Sequence, residues 1–182
     1  QNDGSIRVTA KLDLKAKKLP ELPRFGMRMQ LPAGFDNLEY YGRGPEENYA
    51  DRNSAAFIGI YKAQVDSLKM PYIRPQEYGY HTDTRWLKLT DAGGNGIEVE
   101  GLQPLSFSAL PIKTEALDPG ETKKNQHPTD LRYGDETTLH IDWAQRGLGG
   151  DTSWGAYPHS QYLLTKDGYT YSYVLKLIKP KP

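Results

Sequence analysis

Apolar and polar residues alternate with period two through much of this chain, and that rhythm restricts it to strands. Ile6, Val8, Ala10 and Leu12 alternate with Arg7, Thr9 and Lys11, and Met27 and Met29 with Arg28 and Gln30. Ile97 and Val99 alternate with Glu98 and Glu100, and Leu139, Ile141 and Trp143 with His140 and Asp142. From Tyr169 to Leu177 one face is aromatic and the other small or polar, a pattern suited to cross-strand packing. Turn signals at Pro32-Ala33-Gly34, Asp91 to Gly96, Asp118-Pro119-Gly120 and Lys166-Asp167-Gly168 punctuate the runs. Together these predict an all-β chain, an antiparallel β-sandwich whose edge loops carry function. Helix is scarce. One turn is predicted at Gly44-Pro45-Glu46-Glu47, where Pro suits the first helical position and the acids suit the positive end of the dipole. Another is predicted between Glu121 and Leu131, interrupted by Pro128.

Charge balance narrows the choice of partner. The 182 residues carry 23 Lys plus Arg against 23 Asp plus Glu, so no net field draws nucleic acid or an anionic membrane. No apolar run approaches the roughly 18 residues that a membrane span needs. Cysteine is absent, which removes disulfides and thiolate metal sites. Residues 1–182 read as a single domain without repeat or linker. The first residues, Gln1-Asn2-Asp3-Gly4-Ser5, lack Met and lead almost directly into a strand pattern, so a piece of a longer chain is expected.

One loop stands apart from the strands. Gln145-Arg146-Gly147-Leu148-Gly149-Gly150-Asp151-Thr152-Ser153-Trp154-Gly155 strings four glycines around one indole. Gly147, Gly149 and Gly150 are expected to supply positive φ, with Asp151 and Ser153 bonding nearby amides. Residue type alone favours a Trp154 packed at a sandwich edge. The loop's composition favours an indole presented to a flat apolar surface, such as the C–H face of a sugar.

Two further stretches are dense in chemistry. Tyr41 to Arg52 packs Arg43, Glu46, Glu47, Asp51 and Arg52 among turn-formers. Paired carboxylates there could act as acid and base, but the neighbouring arginines favour an ion-pair network. Pro45 removes an amide that a phosphate-binding loop would donate. Pro71 to Trp86 holds Glu77, His81 and Asp83. The four histidines, His81, His127, His140 and His159, show no zinc-ligand spacing, so no metal site is expected, and no Ser lies in a nucleophile elbow.

These motifs, in their order, resemble the C-terminal domain of family 2 glycoside hydrolases. Tyr41 to Arg52, Pro71-Tyr72-Ile73-Arg74-Pro75-Gln76-Glu77, Thr84-Arg85-Trp86 and Gly147 to Trp154 are similar to the small-chain domain of β-galactosidases, over about Phe25 to Val174. The resemblance implies a galactose mutarotase-like β-supersandwich, here N-terminally truncated, following a TIM barrel. It also implies that the two glutamates that hydrolyse β-galactosides with retention lie on the barrel, so no catalytic residue maps to this chain. Trp154 resembles the indole that reaches the barrel's mouth and stacks on the substrate, chiefly in the aglycone region. Gly147, Gly149, Gly150, Asp151 and Ser153 would then shape its loop. Covering on the order of 60 Å² at roughly 25 cal/mol/Å² amounts to about 1.5 kcal/mol, a factor near ten in affinity.

The partners implied are a galactoside and the barrel of the same chain. Cofactors are none in this fragment, although full enzymes of the family often use Mg2+ and Na+ at the barrel. A homo-oligomer and either bacterial cytoplasm or periplasm are compatible with the resemblance. Tyr78 and Tyr80 depart from the family pattern at what is expected to be the rim of the site. Two other readings stand beside this one: a free-standing carbohydrate-binding module, and a mutarotase-like enzyme needing an acid and a base around an anomeric carbon.

Overall fold

Eight strands, all paired antiparallel, make up most of the regular structure in the computed structural model, which describes residues 3–15, 20–118, 127–152 and 154–180. They are β1 (Ile6–Asp13), β2 (Arg24–Leu31), β3 (Asn37–Gly44), β4 (Phe57–Gln64), β5 (His81–Thr90), β6 (Gly96–Leu110), β7 (Thr137–Gln145) and β8 (Gly168–Ile178). The longest, β6, organises the rest. Along one side it pairs with β5, which continues through β3 to β4. On its other side, Gly96 to Gly101 pair with β8, and Ser106 to Leu110 pair with β7. β8 then carries β1, and β7 carries β2.

Because β7 and β8 share one flank of β6 at different ends, their faces meet and form the two layers. The aromatic face of β8 is the contact. The Tyr171 hydroxyl donates to the Ile141 carbonyl of β7 at 2.8 Å, and the Tyr173 hydroxyl lies 3.2 Å from the Met27 sulfur of β2. The Phe25 ring sits 5.4 Å from Tyr171, and Trp143 sits 4.9 Å from Tyr169. Leu87, Leu89, Val99, Phe107, Leu139 and Ile141 complete the buried interior. The predicted sandwich is thus what forms.

Alternation marked β1, β2, β6, β7 and β8 correctly, but it misjudged one face. His140 and Asp142 were expected on the polar side of β7, yet β7 is buried on both faces from Thr137 to Asp142. The His140 side is covered by chain from other elements, including Thr114, whose hydroxyl meets His140 Nε2 at 3.1 Å. Thr114 opens a one-turn helix, α1 (Thr114–Leu117), which anchors Leu117 against Tyr78, Leu110 and Ile112.

No helical turn forms at Gly44 to Glu47. The Asn48 side-chain amide donates to the carbonyls of Arg43 and Glu46, each at 3.1 Å, and the Tyr40 hydroxyl donates to that of Pro45 at 3.3 Å. Those carbonyls are the ones a helix would have used. Of the segment predicted helical between Glu121 and Leu131, residues 121–126 lie outside the described residues. Pro128–Asp130 form a single 3-10 turn. β1 and β4 are the outer strands of the long sheet, and β4 presents Phe57, Ile58 and Ile60 to solvent.

Tyr171→Phe removes the hydroxyl that ties β8 to β7 and leaves the buried Ile141 carbonyl without that donor. Urea unfolding should show a loss of about 1 kcal/mol. An unchanged midpoint would mean that the bond does not help to join the layers.

Candidate functional site

After β7 ends at Gln145 the chain leaves the sheet, and its amides need acceptors from elsewhere. Arg146 N–H donates to the Pro23 carbonyl at 3.0 Å and Gly147 N–H to that of Tyr162 at 2.8 Å. The next two amides find a carboxylate. Leu148 N–H and Gly149 N–H donate separately to the two oxygens of Asp51, at 3.0 and 2.8 Å. From the adjacent position the Arg52 guanidinium donates to the Gly149 carbonyl, and Gly150 N–H closes the loop on the Ala156 carbonyl at 2.6 Å.

The glycines serve this path in two ways. Gly149 and Gly150 sit at φ +68° and +77°, where glycine is favoured, as expected. Gly147 does not. A β-carbon there would lie 2.6 Å from the Asp51 carboxylate and 2.9 Å from Tyr162 Cβ, so its glycine answers to close approach and not to positive φ.

The polar residues of the loop make further contacts. The Asp151 carboxylate meets His159 Nε2 at 2.6 Å, with both side chains well exposed. Ser153 lies outside the described residues. Thr152 supplies the local bond, its hydroxyl accepting from Trp154 N–H at 3.3 Å. The Trp154 residue is 94% exposed, which overturns the packing role that residue type favours. Leu148 and Tyr157 are exposed on the same loop region, with the Arg146 guanidinium over the Tyr157 ring at 5.1 Å.

What grips the loop is itself fixed. Tyr49 and Arg52 exchange backbone bonds of 3.1 and 2.8 Å, which makes Asp51 the corner of a closed turn. Asn48, 1% exposed, holds that turn to β5: its N–H donates to the Tyr80 carbonyl at 2.6 Å, and its side-chain oxygen accepts from Thr82 N–H and Oγ1. Glu47 accepts from the Tyr49 and Tyr72 hydroxyls and from Gly79 N–H.

The ion-pair network expected among Arg43, Arg52, Glu46, Glu47 and Asp51 is therefore not the arrangement found. Arg43 instead pairs with Asp83 at 2.5 Å and donates to the Ala56 carbonyl at 2.8 Å. The charges of this segment mostly bind backbone.

Beneath the loop lies a cluster that the sequence did not reveal. Arg24, at the start of β2, contacts Asp142 at 2.9 Å, pairs with Glu77, donates to Gln145 Oε1 at 2.8 Å and meets His140 Nδ1 at 3.1 Å. Its guanidinium lies 5.5 Å from the centre of the Tyr80 ring, which stacks on Tyr49 at 5.8 Å. Tyr78 and Tyr80 are each 2% exposed, so neither forms a rim; Tyr80 lies against Tyr49 of the gripping turn, and Tyr78 packs with Leu110, Ile112 and Leu117.

Asp142 is wholly buried, with the Tyr80 hydroxyl and the Arg24 guanidinium against its carboxylate. Burial pushes its pKa up to about 7, against the pull of Arg24. Burial, with Arg24 and Arg28 close by, pushes His140 down to about 4. Gly26 gives Asp142 its room, since a β-carbon there would come within 1.8 Å of the carboxylate.

Three of the four sequence motifs thus converge around one loop. Asp51 and Arg52 come from the first, Glu77 from the second, and the glycines and Trp154 from the last. Trp86 of the remaining motif lies apart, 6.4 Å from Tyr41 on the sheet. Among the described residues no three His, Asp or Glu side chains gather to hold a metal ion. The twelve-residue charged segment was the signal for Asp51 and Arg52; nothing in the sequence marked Arg24 or Asp142.

Comparison with known proteins identifies the family. A family model described as "Beta galactosidase small chain" matches residues 1–175, and so includes β1 as well as the motif-bearing region from Phe25. The chain is 38% identical over 176 residues to a β-galactosidase of Priestia megaterium, covering 96% of this chain and 16% of that protein. It is 38% identical over 175 residues to one of Streptococcus thermophilus, covering 95% of this chain and 16% of the relative. Against a β-galactosidase of Vibrio cholerae it is 36% identical over 180 residues, 98% of this chain and 16% of the relative. The chain therefore spans about one sixth of the length of these relatives.

The buried pair sets opposing pH dependences. From about pH 4 to 7 the folded chain keeps the Asp142 proton that an unfolded chain releases, so this contribution to stability falls as pH rises. From about pH 4 to 6.5 folded His140 stays neutral where an unfolded imidazole is charged, so its contribution rises. Asp142→Asn removes the falling part. Unfolding free energy measured from pH 4 to 6.5 should climb more steeply in the variant than in the parent, and equal slopes would overturn the assignment of Asp142.

Proposed function

The chain belongs to the β-galactosidase small-chain family, and on that premise we propose that it is one domain of a family 2 glycoside hydrolase, lying C-terminal to a TIM barrel. In this reading the domain is a galactose mutarotase-like supersandwich, and the whole enzyme hydrolyses terminal β-galactosides with retention. The nucleophile and the acid/base are two glutamates on the barrel. Glu46, Glu47 and Glu77 take neither role; Glu47 is occupied by two hydroxyls and an amide, and Glu77 by Arg24. The chain's partners are then the barrel and, through Trp154, the galactoside.

The observation that carries the proposal is the exposed indole on a loop pinned by two charged side chains. A large apolar ring in water has no reason to be held so firmly unless something covers it. A sugar ring offers a flat C–H surface, and the indole N–H offers one donor at the edge of that contact. Gly147 and Gly149 fit the loop closely against Asp51 and Ala156, Gly150 supplies a positive φ, and the Asp151 to His159 pair fastens the far side. Stacking supplies binding and no proton transfer, so the domain selects what sits beside the galactose and leaves bond cleavage to the barrel.

In this reading the Mg2+ and Na+ that such enzymes often use belong to the barrel, and no step assigned to this domain runs through them.

In the full-length enzyme, Trp154→Ala should weaken binding of glucose as a galactosyl acceptor about tenfold. Cleavage of an activated galactoside should stay near the parent rate. Partition between hydrolysis and transfer at increasing glucose measures both. Unchanged acceptor binding, or cleavage of a chromogenic galactoside by the 182-residue chain alone, would overturn the proposal.

A further inference from the structure

The Trp154 ring is almost wholly exposed, so its aim is set by the backbone that carries it. Of the contacts on that backbone before the indole, three come from two adjacent residues about a hundred positions upstream. Asp51 accepts from the amides of Leu148 and Gly149, and Arg52 donates to the Gly149 carbonyl. We propose that Asp51 and Arg52 are positioning residues for Trp154, presetting the loop so that the indole meets a sugar in one orientation. This rests on the reading of Trp154 given above.

Chemistry and fit both favour this assignment. Two N–H groups on consecutive residues point the same way, an arrangement that demands an acceptor with two oxygens and negative charge; a carboxylate meets it. The opposite polarity is needed at the carbonyl of Gly149 itself, which requires a donor, and a guanidinium stands there. Asp and Arg in sequence thus read amide, amide and carbonyl of one short segment. The space is tight as well, because a β-carbon at Gly147 would lie 2.6 Å from the Asp51 carboxylate and one at Gly149 would lie 2.4 Å from the Ala156 carbonyl.

The gripping turn has little freedom of its own. Its two ends are bonded to each other, Asn48 binds it to Thr82 of β5 and to the preceding Tyr80 by three contacts, and the Tyr49 ring is stacked on buried Tyr80. Through Tyr80 the support continues to Arg24 and the floor of the sandwich. A loop free to sample several paths would lose ordering entropy each time the sugar bound. One already held loses less, which raises affinity without a new contact.

Asp51→Asn tests this with little change of volume, since the new side chain accepts from one amide and turns a donor toward the other. Hydrogen exchange of the Leu148 and Gly149 amides in the 182-residue chain should speed up by about tenfold, while core amides of β6 and β7 stay protected. In the full-length enzyme the concentration of glucose needed for half-maximal transfer should rise severalfold, with kcat for cleavage of an activated galactoside near the parent value.

Asp51→Asn in a Trp154→Ala background should then have no further effect on acceptor binding, because a residue acting through the indole has nothing left to act upon. Unchanged loop exchange, or fully additive losses in the double variant, would overturn the positioning role. Arg52→Ala should reproduce the effects of Asp51→Asn in smaller degree; intact loop protection in that variant would remove Arg52 from the assignment. Should Trp154→Ala alone leave acceptor binding intact, the sugar-contact reading falls, and the exchange measurement still decides whether Asp51 orders the loop.

Discussion

Hydrogen bonding of main-chain groups that have no strand beside them governs this molecule's most distinctive region. A loop rich in glycine carries high entropy in the unfolded chain and few side chains with which to hold itself. Its donors and acceptors are met instead by an aspartate and an arginine from another part of the sheet. Ordering the loop is thereby transferred to a turn that is rigid for independent reasons. The same turn depends on Asn48, which is buried with its amide fully used.

Charge is used sparingly and mostly as scaffolding. Arg24 joins the ends of β2 and β7 to the segment before β5, and its counter-charges differ in kind: Glu77 is partly exposed, whereas Asp142 is wholly enclosed. Enclosing a carboxylate away from water is costly even beside a guanidinium, and the raised pKa of Asp142 expresses that cost. His140 next to it is held neutral for the same reason. The cluster seals the base from which the loop departs, and the rings of Tyr80 and Tyr49 connect it to the turn above.

Much of the fold was legible because five strands alternate apolar and polar residues, even where, as in β7, both faces are covered. The remaining three were not. β3 contains Gly42 and Gly44, whose missing side chains hide its alternation, and Gly42 is required because a β-carbon would strike Thr84. β4 is apolar toward both faces near its start, and β5 is covered on both, so neither shows a clean period of two. At the candidate site the glycines disclosed the loop and its indole. Asp51 and Arg52 were visible as charges, but a sequence cannot show that their partners are peptide groups 97 and 98 residues away. Asp142 was hidden entirely, because an acid alternating with Ile141 and Trp143 reads as facing water.

The open margin at β4 has a consequence for handling the molecule. Phe57, Ile58 and Ile60 stand at the outer strand, next to peptide groups with no ladder beyond them, which is the template on which foreign strands aggregate. Lys62, further along the same strand, is a solitary gatekeeper. Colloidal behaviour is therefore decided at this rim, and a solubilising substitution belongs at Ile60, on a strand that does not carry the glycine loop.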